Sequence, residues 1–557
     1  MAVYAGTAST AIAIMYWTNE RRMRMLAAMN PSALALAATL LAAPALAHEE
    51  DAKQGGRPPE KLGTVHFQTS CDPAVQPLFE RGVALLHSFW FPEGLKAFNE
   101  VLKRDPSCTI AYWGIGVNRL LNPFGGQTAE AIALQGQEAV EKGLAIKAKT
   151  EREQDYVVAI SAFYGRDRAP FRERAARYEA AMEKLAAKYP EDKEAGIFYA
   201  LALNIASDPM DKTFAKQLKA ASILEPIFAA QPEHPGVAHY LIHSYDYPPI
   251  AEKGLPAARR YADIAPDAAH ALHMPSHIFT RVGSWEDSLA TNRRAEQNAL
   301  KNKSGQDMHH ALDYQVYAAL QLARDREARE AIARMAALPA NPDQRPSFYA
   351  LAASPVRYAL ERGDWKAAAA LEPLANAYVY TVAMTHFARG YGAARLGDWA
   401  TAAKESGELG NLQQQLVAQN DKYWATEVEV QRLSVAAWGQ LAKGERDNAL
   451  ALMRKATDLE DTSEKAPVSP GRPVPARELL GEMLLELKQP AAALKEFEAS
   501  AVRDPNRFRN FYGAALAAER SGNAAKARQY FARLAQLGAK GDARPELQRA
   551  RTFIAAK

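Results

Sequence analysis

From Val75 onward, small and apolar residues return at fixed places in a unit of 34 residues. The first unit, Val75 to Cys108, has Gly82, Phe98 and Pro106 at its positions 8, 24 and 32. That pattern predicts two antiparallel helices joined by a tight turn, with a proline closing the second. The next unit starts at Thr109, with Gly116 at position 8. Pro235 to Ala268 and Ala269 to Asn302 follow one another without a gap, as do Tyr349 to Val382 and Ala383 to Leu416. The last two of these carry Gly363-Asp364-Trp365 and Gly397-Asp398-Trp399 at their turns. Later units start near Val430, Val474 and Phe508. Between Asn122 and Pro232 the spacing is irregular, though the pattern stays helical.

These markers are those of tetratricopeptide (TPR) repeats, so the expected fold is an all-α TPR-type solenoid of roughly ten stacked helix pairs. The pattern divides the chain into N-terminal repeats over 64–234, central repeats over 235–348, further repeats over 349–465 and C-terminal repeats over 476–557. The Pro-rich stretch 466–475 reads as an internal linker.

Upstream, Arg21, Arg22 and Arg24 precede a short apolar run that ends in Ala45-Leu46-Ala47, the layout of a secretory signal. Residues 1–47 are therefore expected to be a Sec-type leader with an over-long start, cleaved after Ala47. Residues 48–63 read as a flexible lead-in, and the mature chain is expected to be periplasmic or secreted, with no membrane span. A formal charge of +4 over 557 residues gives no general attraction to nucleic acid or anionic membrane. The two cysteines suit the same compartment. Cys71 precedes the first helix of its unit and Cys108 ends the second, so antiparallel packing brings them within bridging range.

Seven of the twelve histidines lie between His239 and His310. In a TPR solenoid the first helix of each pair lines the concave wall, where positions 2, 5, 9 and 12 fall within about 80° of one another. His239, His243 and Asp246 occupy positions 5, 9 and 12 of one unit, and His270, His273 and His277 occupy positions 2, 5 and 9 of the next. His310, Asp313 and Tyr317 stand near positions 2, 5 and 9 of a third. Paired histidines four apart share a helical face, and a third ligand can come from the neighbouring helix. Such a wall suits zinc, copper, iron or manganese. It could equally serve a small ligand, with Tyr240, Tyr314 and Tyr317 orienting it. A metal-free groove holding a protein or peptide partner is the alternative, and acid–base catalysis of a hydrolase or lyase type is a second. Against these stands the ordinary role of a helical histidine as a satisfied packing group.

Pro275 lies inside the first helix of its unit, between His273 and His277. An interior proline costs about 3 kcal/mol, so the kink it predicts points to function. His87 falls at position 13 of its unit, able to reach the groove but several units from the cluster. The chain has no phosphate loop, nucleophile elbow, Cys-x-x-Cys or His-Glu-x-x-His motif.

Beyond the repeat markers, several strings are more specific. They include His87-Ser88-Phe89-Trp90, Asp105-Pro106-x-Cys108, His239-Tyr240-x-Ile242-His243, His270-x-x-His273-Met274-Pro275-Ser276-His277 and His310-Ala311-Leu312-Asp313-Tyr314. With these the chain, from about Leu62 to Gly397, resembles a family of exported bacterial TPR-repeat proteins. The resemblance implies the helical-repeat fold and export, and brings no activity with it.

Overall fold

The computed structural model describes residues 60–556, apart from 126–128, 209, 340–344 and 376. The expected leader and residues 48–59 lie outside the described residues, which form one compact unit. They contain helices and no strand, and no helix is long and apolar enough to cross a membrane. The protein is an all-α helical-repeat solenoid.

Among the described residues twelve antiparallel pairs follow one another, from Gln76–His87 with Phe91–Arg104 to Phe508–Arg520 with Ala524–Leu537, and Pro545–Ala555 caps the last of them. The irregular stretch supplies two pairs that the sequence spacing does not resolve, Glu151–Ser161 with Phe171–Lys188 and Lys193–Ile205 with Ala215–Ala230. Longer connections, such as 206–214, take these units off the 34-residue period.

The repeat markers work by close approach. Phe98 wedges between Gly82 and Gly114, where an added Cβ would stand 3.0 and 2.5 Å from its ring. Near the other end Phe497 sits in the same way between Gly481 and Gly513. At the Gly-Asp-Trp turns, Gly363 and Gly397 take φ +65° and +86°, and the following Asp364 and Asp398 cap the next helix. Cys71 and Cys108 are bonded, their Cα atoms 5.0 Å apart.

The solenoid is not an open arc. Its C-terminal repeats fold back on the central ones: Trp285 Nε1 donates to the Asn506 carbonyl at 2.7 Å, and Arg507 reaches the Tyr317 hydroxyl at 2.5 Å. The Pro-rich stretch, expected as a linker, is instead a buried strap on the inner side. Tyr349 donates to Ser469 Oγ at 2.5 Å, Arg357 to the Gly471 carbonyl at 2.8 Å, and the Lys465 ammonium stands 3.4 Å from the Asp246 carboxylate. The lead-in also packs where it is described: Lys61 N and Thr64 N bond to Asp267 and Glu233. Between them Gly63, at φ +81°, has no room for a Cβ beside the Glu233 carbonyl.

Candidate metal centre

Three consecutive first helices supply six imidazoles. Pro235–Tyr245 carries His239 and His243, a broken helix (Ala269–His273 and Pro275–Arg281) carries His270, His273 and His277, and Gly305–Gln321 carries His310. They gather into two triads, His239/His243/His270 and His273/His277/His310, in each of which one nitrogen per ring lies within 4.8 Å of the others. The triads adjoin, with ring centres 6.2 Å apart for His243–His277 and 6.4 Å for His270–His273.

The proline break shapes the second triad. Pro275 has no amide proton, and the ladder restarts with His277 N bonding to the Met274 carbonyl at 3.1 Å. Carbonyls at the break are taken by hydroxyls instead: Thr291 donates to Leu272 O at 2.5 Å and Ser276 to His273 O at 2.7 Å. His273 and His277 consequently turn their Nε2 atoms toward one another, 3.1 Å apart.

Outer partners fix the tautomers. Asn292 spends its amide protons on the Ser288 carbonyl at 2.7 Å, so its Oδ1 accepts from His273 Nδ1 at 2.7 Å. Asp246 accepts from His277 Nδ1 at 2.9 Å. His239 Nδ1 donates at 2.6 Å to the His87 carbonyl, which the end of helix Gln76–His87 leaves without a helical partner. Each of these rings therefore presents an unprotonated Nε2. The Nε2 atoms of His243 and His270 both approach His239 Nε2 at 3.1 Å, and one lone pair cannot serve two donors well.

Electrostatics keep the rings neutral. Burial holds His239, His243, His270 and His310 well below the ordinary imidazole range, and neighbouring imidazoles add to it. Burial, with His277 beside it, brings His273 down to about 3. Asp246 stays ionised: burial alone would raise its pKa, but Lys465 and the Arg281 guanidinium, 2.8 Å away, hold it well below the carboxylate range.

Aromatic rings wall the site. Phe124 stacks on His243 with centres 3.9 Å apart, Phe89 lies 4.5 Å from His239 and 5.2 Å from His270, and Tyr314 lies 4.6 Å from His273. Phe89 holds φ +52°, a left-handed conformation costly for a bulky residue. His270 and His310 are the half-buried members.

The other sequence candidates sit elsewhere or act indirectly. Asp313 is engaged by Arg357 and Ser354, away from the triads. Tyr240 bonds to His87 Nδ1 at 3.0 Å, and Tyr317 bonds to Arg507, so neither hydroxyl reaches the triads. The Tyr314 hydroxyl does, 3.5 Å from His277 Nε2. His87 is close after all, because superhelical winding sets its helix against Pro235–Tyr245. Phe89, Phe124 and Asn292 are neighbours of the triads that periodicity does not reveal. Only Phe89 carried a sequence signal, lying in the His87-Ser88-Phe89-Trp90 string.

A third buried cluster provides a contrast. The Glu194 carboxylate lies between His87 Nε2 at 3.0 Å and His234 Nε2 at 2.9 Å. Burial would raise its pKa, but the two imidazoles hold it at about 2. His87 Nδ1 accepts from Tyr240 and His234 Nδ1 from Val237 N, so every nitrogen there has a partner of the right kind. That cluster is complete without a cation.

Fold and site together define a helical-repeat protein with paired histidine triads in its core. No family model and no curated protein matches the chain. Among solved structures it is similar to a human IFIT1 dimer with m7Gppp-AAAA, at 12% identity and TM-score 0.32, over 77% of this chain and 90% of that one. A monomeric IFIT1 mutant with Gppp-AAAA gives 12% and 0.34 over 76% and 90%. Naa15/Naa10 bound to HypK-THB gives 13% and 0.23 over 86% and 77%.

Proposed function

We propose that this chain is an exported helical-repeat metalloprotein in which each histidine triad holds one transition-metal ion through imidazole nitrogens alone. The observation that carries the reading is the His273–His277 contact. Both Nδ1 protons are committed to Asn292 and Asp246, so two lone pairs face each other across 3.1 Å. A cation between them makes that arrangement favourable in a buried site. Three ligands per ion leave a coordination position for a substrate or water, as in catalytic metal sites. The signal-like leader and the Cys71–Cys108 pair support export to an oxidising compartment.

Elemental analysis of the mature protein, purified from periplasm without chelator or affinity tag, tests this. Bound transition metal is expected, lost in a His243→Ala/His277→Ala double variant whose helical circular dichroism is unchanged. Absence of metal after reconstitution with zinc, copper, iron and manganese salts would overturn it and leave the site to a peptide or small ligand.

A further inference from the structure

We infer that the two triads are the halves of a single dinuclear copper centre that binds dioxygen between its ions. This rests on the metal-binding reading above and goes further in metal, nuclearity and ligand.

The donor set points to copper. Six neutral imidazoles converge and no carboxylate joins them: Asp246 is turned to His277 Nδ1 and Arg281, and Asp313 to Arg357. Manganese prefers oxygen ligands, and a resting pair of dipositive or tripositive ions held by neutral donors would carry charge that no carboxylate offsets. The positive Arg281 and Lys465 beyond Asp246 would add to that burden. Cuprous copper carries one charge per ion and is content with three ligands, and imidazole donors suit copper, with the divalent affinity order favouring its cupric form as well. A cupric pair formed with dioxygen is offset by the peroxide dianion made in the same step.

The spacing points to a pair. Metal–imidazole bonds of about 2.0–2.1 Å place an ion within each triad. With facing rings 6.2 and 6.4 Å apart between centres, the two ion positions stand side by side. His277 stands at the junction, close to imidazoles of both triads.

The walls select the ligand. Phe89, Phe124 and Tyr314 close on the rings from both ends, leaving an apolar lining that disfavours hydrated anions and admits a small neutral molecule. Dioxygen in that position accepts one electron from each of two cuprous ions. One oxygen–oxygen bond order is lost, the oxygen is reduced to the peroxide level, and both ions become cupric. No proton or outside reductant enters the step.

The full mature chain, freed of metal and loaded anaerobically with cuprous ion, is then titrated with dioxygen. Two copper ions per chain, one dioxygen taken up per two copper ions, a new charge-transfer absorption and no paramagnetic resonance signal from the coupled cupric pair are expected. His310→Ala, at a half-buried position, should keep one copper and lose both oxygen uptake and spin coupling, so that a cupric resonance appears. Two coppers that take up no oxygen, or that give separate cupric signals in the parent protein, would overturn the dinuclear assignment and leave metal binding standing. Zinc outcompeting copper for both triads would overturn the choice of metal. Binding of neither would overturn the metal-binding reading itself.

Discussion

His273 and Asn292 are joined by a 2.7 Å hydrogen bond whose direction is set elsewhere, because the Asn292 amide protons are held by the Ser288 carbonyl. Asn292 therefore decides which nitrogen of His273 is bare. Asn292→Ala removes that choice and lets the proton settle on Nε2. Metal affinity, measured by competition with a chelator, should fall by about 10–100-fold, as for other outer partners of ligating histidines. Helical content should be unchanged. An unaltered affinity would mean that His273 is not a ligand.

The buried imidazoles tie stability to pH. Their folded-state pKa values lie below the unfolded value of about 6.5, with His273 at about 3. Unfolding therefore takes up protons as the pH drops beneath about 6.5. The stability of the metal-free protein is whole above that pH and is lost as pH falls toward the folded values. Each such imidazole contributes a slope of about 1.4 kcal/mol per pH unit. Denaturant titrations from neutral to mildly acidic pH should show this decline, shifted to lower pH when metal is loaded. A flat profile in the metal-free protein would contradict the burial described for the triads.

The strap is held by close fit at Gly471, where a Cβ would stand 2.5 Å from the Tyr317 hydroxyl. That hydroxyl is itself pinned by Arg507 and cannot give way. Gly471→Val should cost about 1–3 kcal/mol by overpacking. It should also make residues 463–475 newly sensitive to limited proteolysis. Protease resistance equal to that of the parent would show that the strap does not depend on this contact.

The Cys71–Cys108 bond closes a loop with a sequence separation of 37. A Cys71→Ser/Cys108→Ser variant should lose about 4 kcal/mol on the chain-entropy model. Because neither cysteine lies among the triads, metal stoichiometry should be retained at low denaturant. Loss of metal without loss of stability would link the first repeat to the site more directly than the His87 carbonyl does.

Much of this was legible in residue spacing. A period of 34 fixes helix pairs, and His239, His243, His270, His273 and His277 stand on that period, so their common face follows from it. His310 needed only a one-residue allowance. Repeat spacing has no means of reporting superhelical winding, which decides that His87 lies against Pro235–Tyr245 despite the units between them. The same limit hid the difference between Asp246 and Asp313. Both sit at groove positions, but one reaches His277 and the other meets Arg357 from the next unit. The Pro-rich segment reads as a linker for a related cause: prolines and glycines signal an interrupted helix whether the chain then runs through solvent or through a groove. Burial of Ser469, Gly471 and Val474 settles that it runs through the groove.

The strap also gives the molecule an order of assembly. All six imidazoles are present once residue 310 has been made, whereas the strap ends at residue 475, a further 165 residues along. An exported chain emerges in the same N-to-C order, so the six imidazoles are delivered before the strap. Until the strap follows, the triads lack the side that Lys465 and Ser469 close through Asp246 and Tyr314. A chain that meets its ion early thus does so before the Lys465–Asp246 and Ser469–Tyr314 contacts exist, and a finished chain only after them.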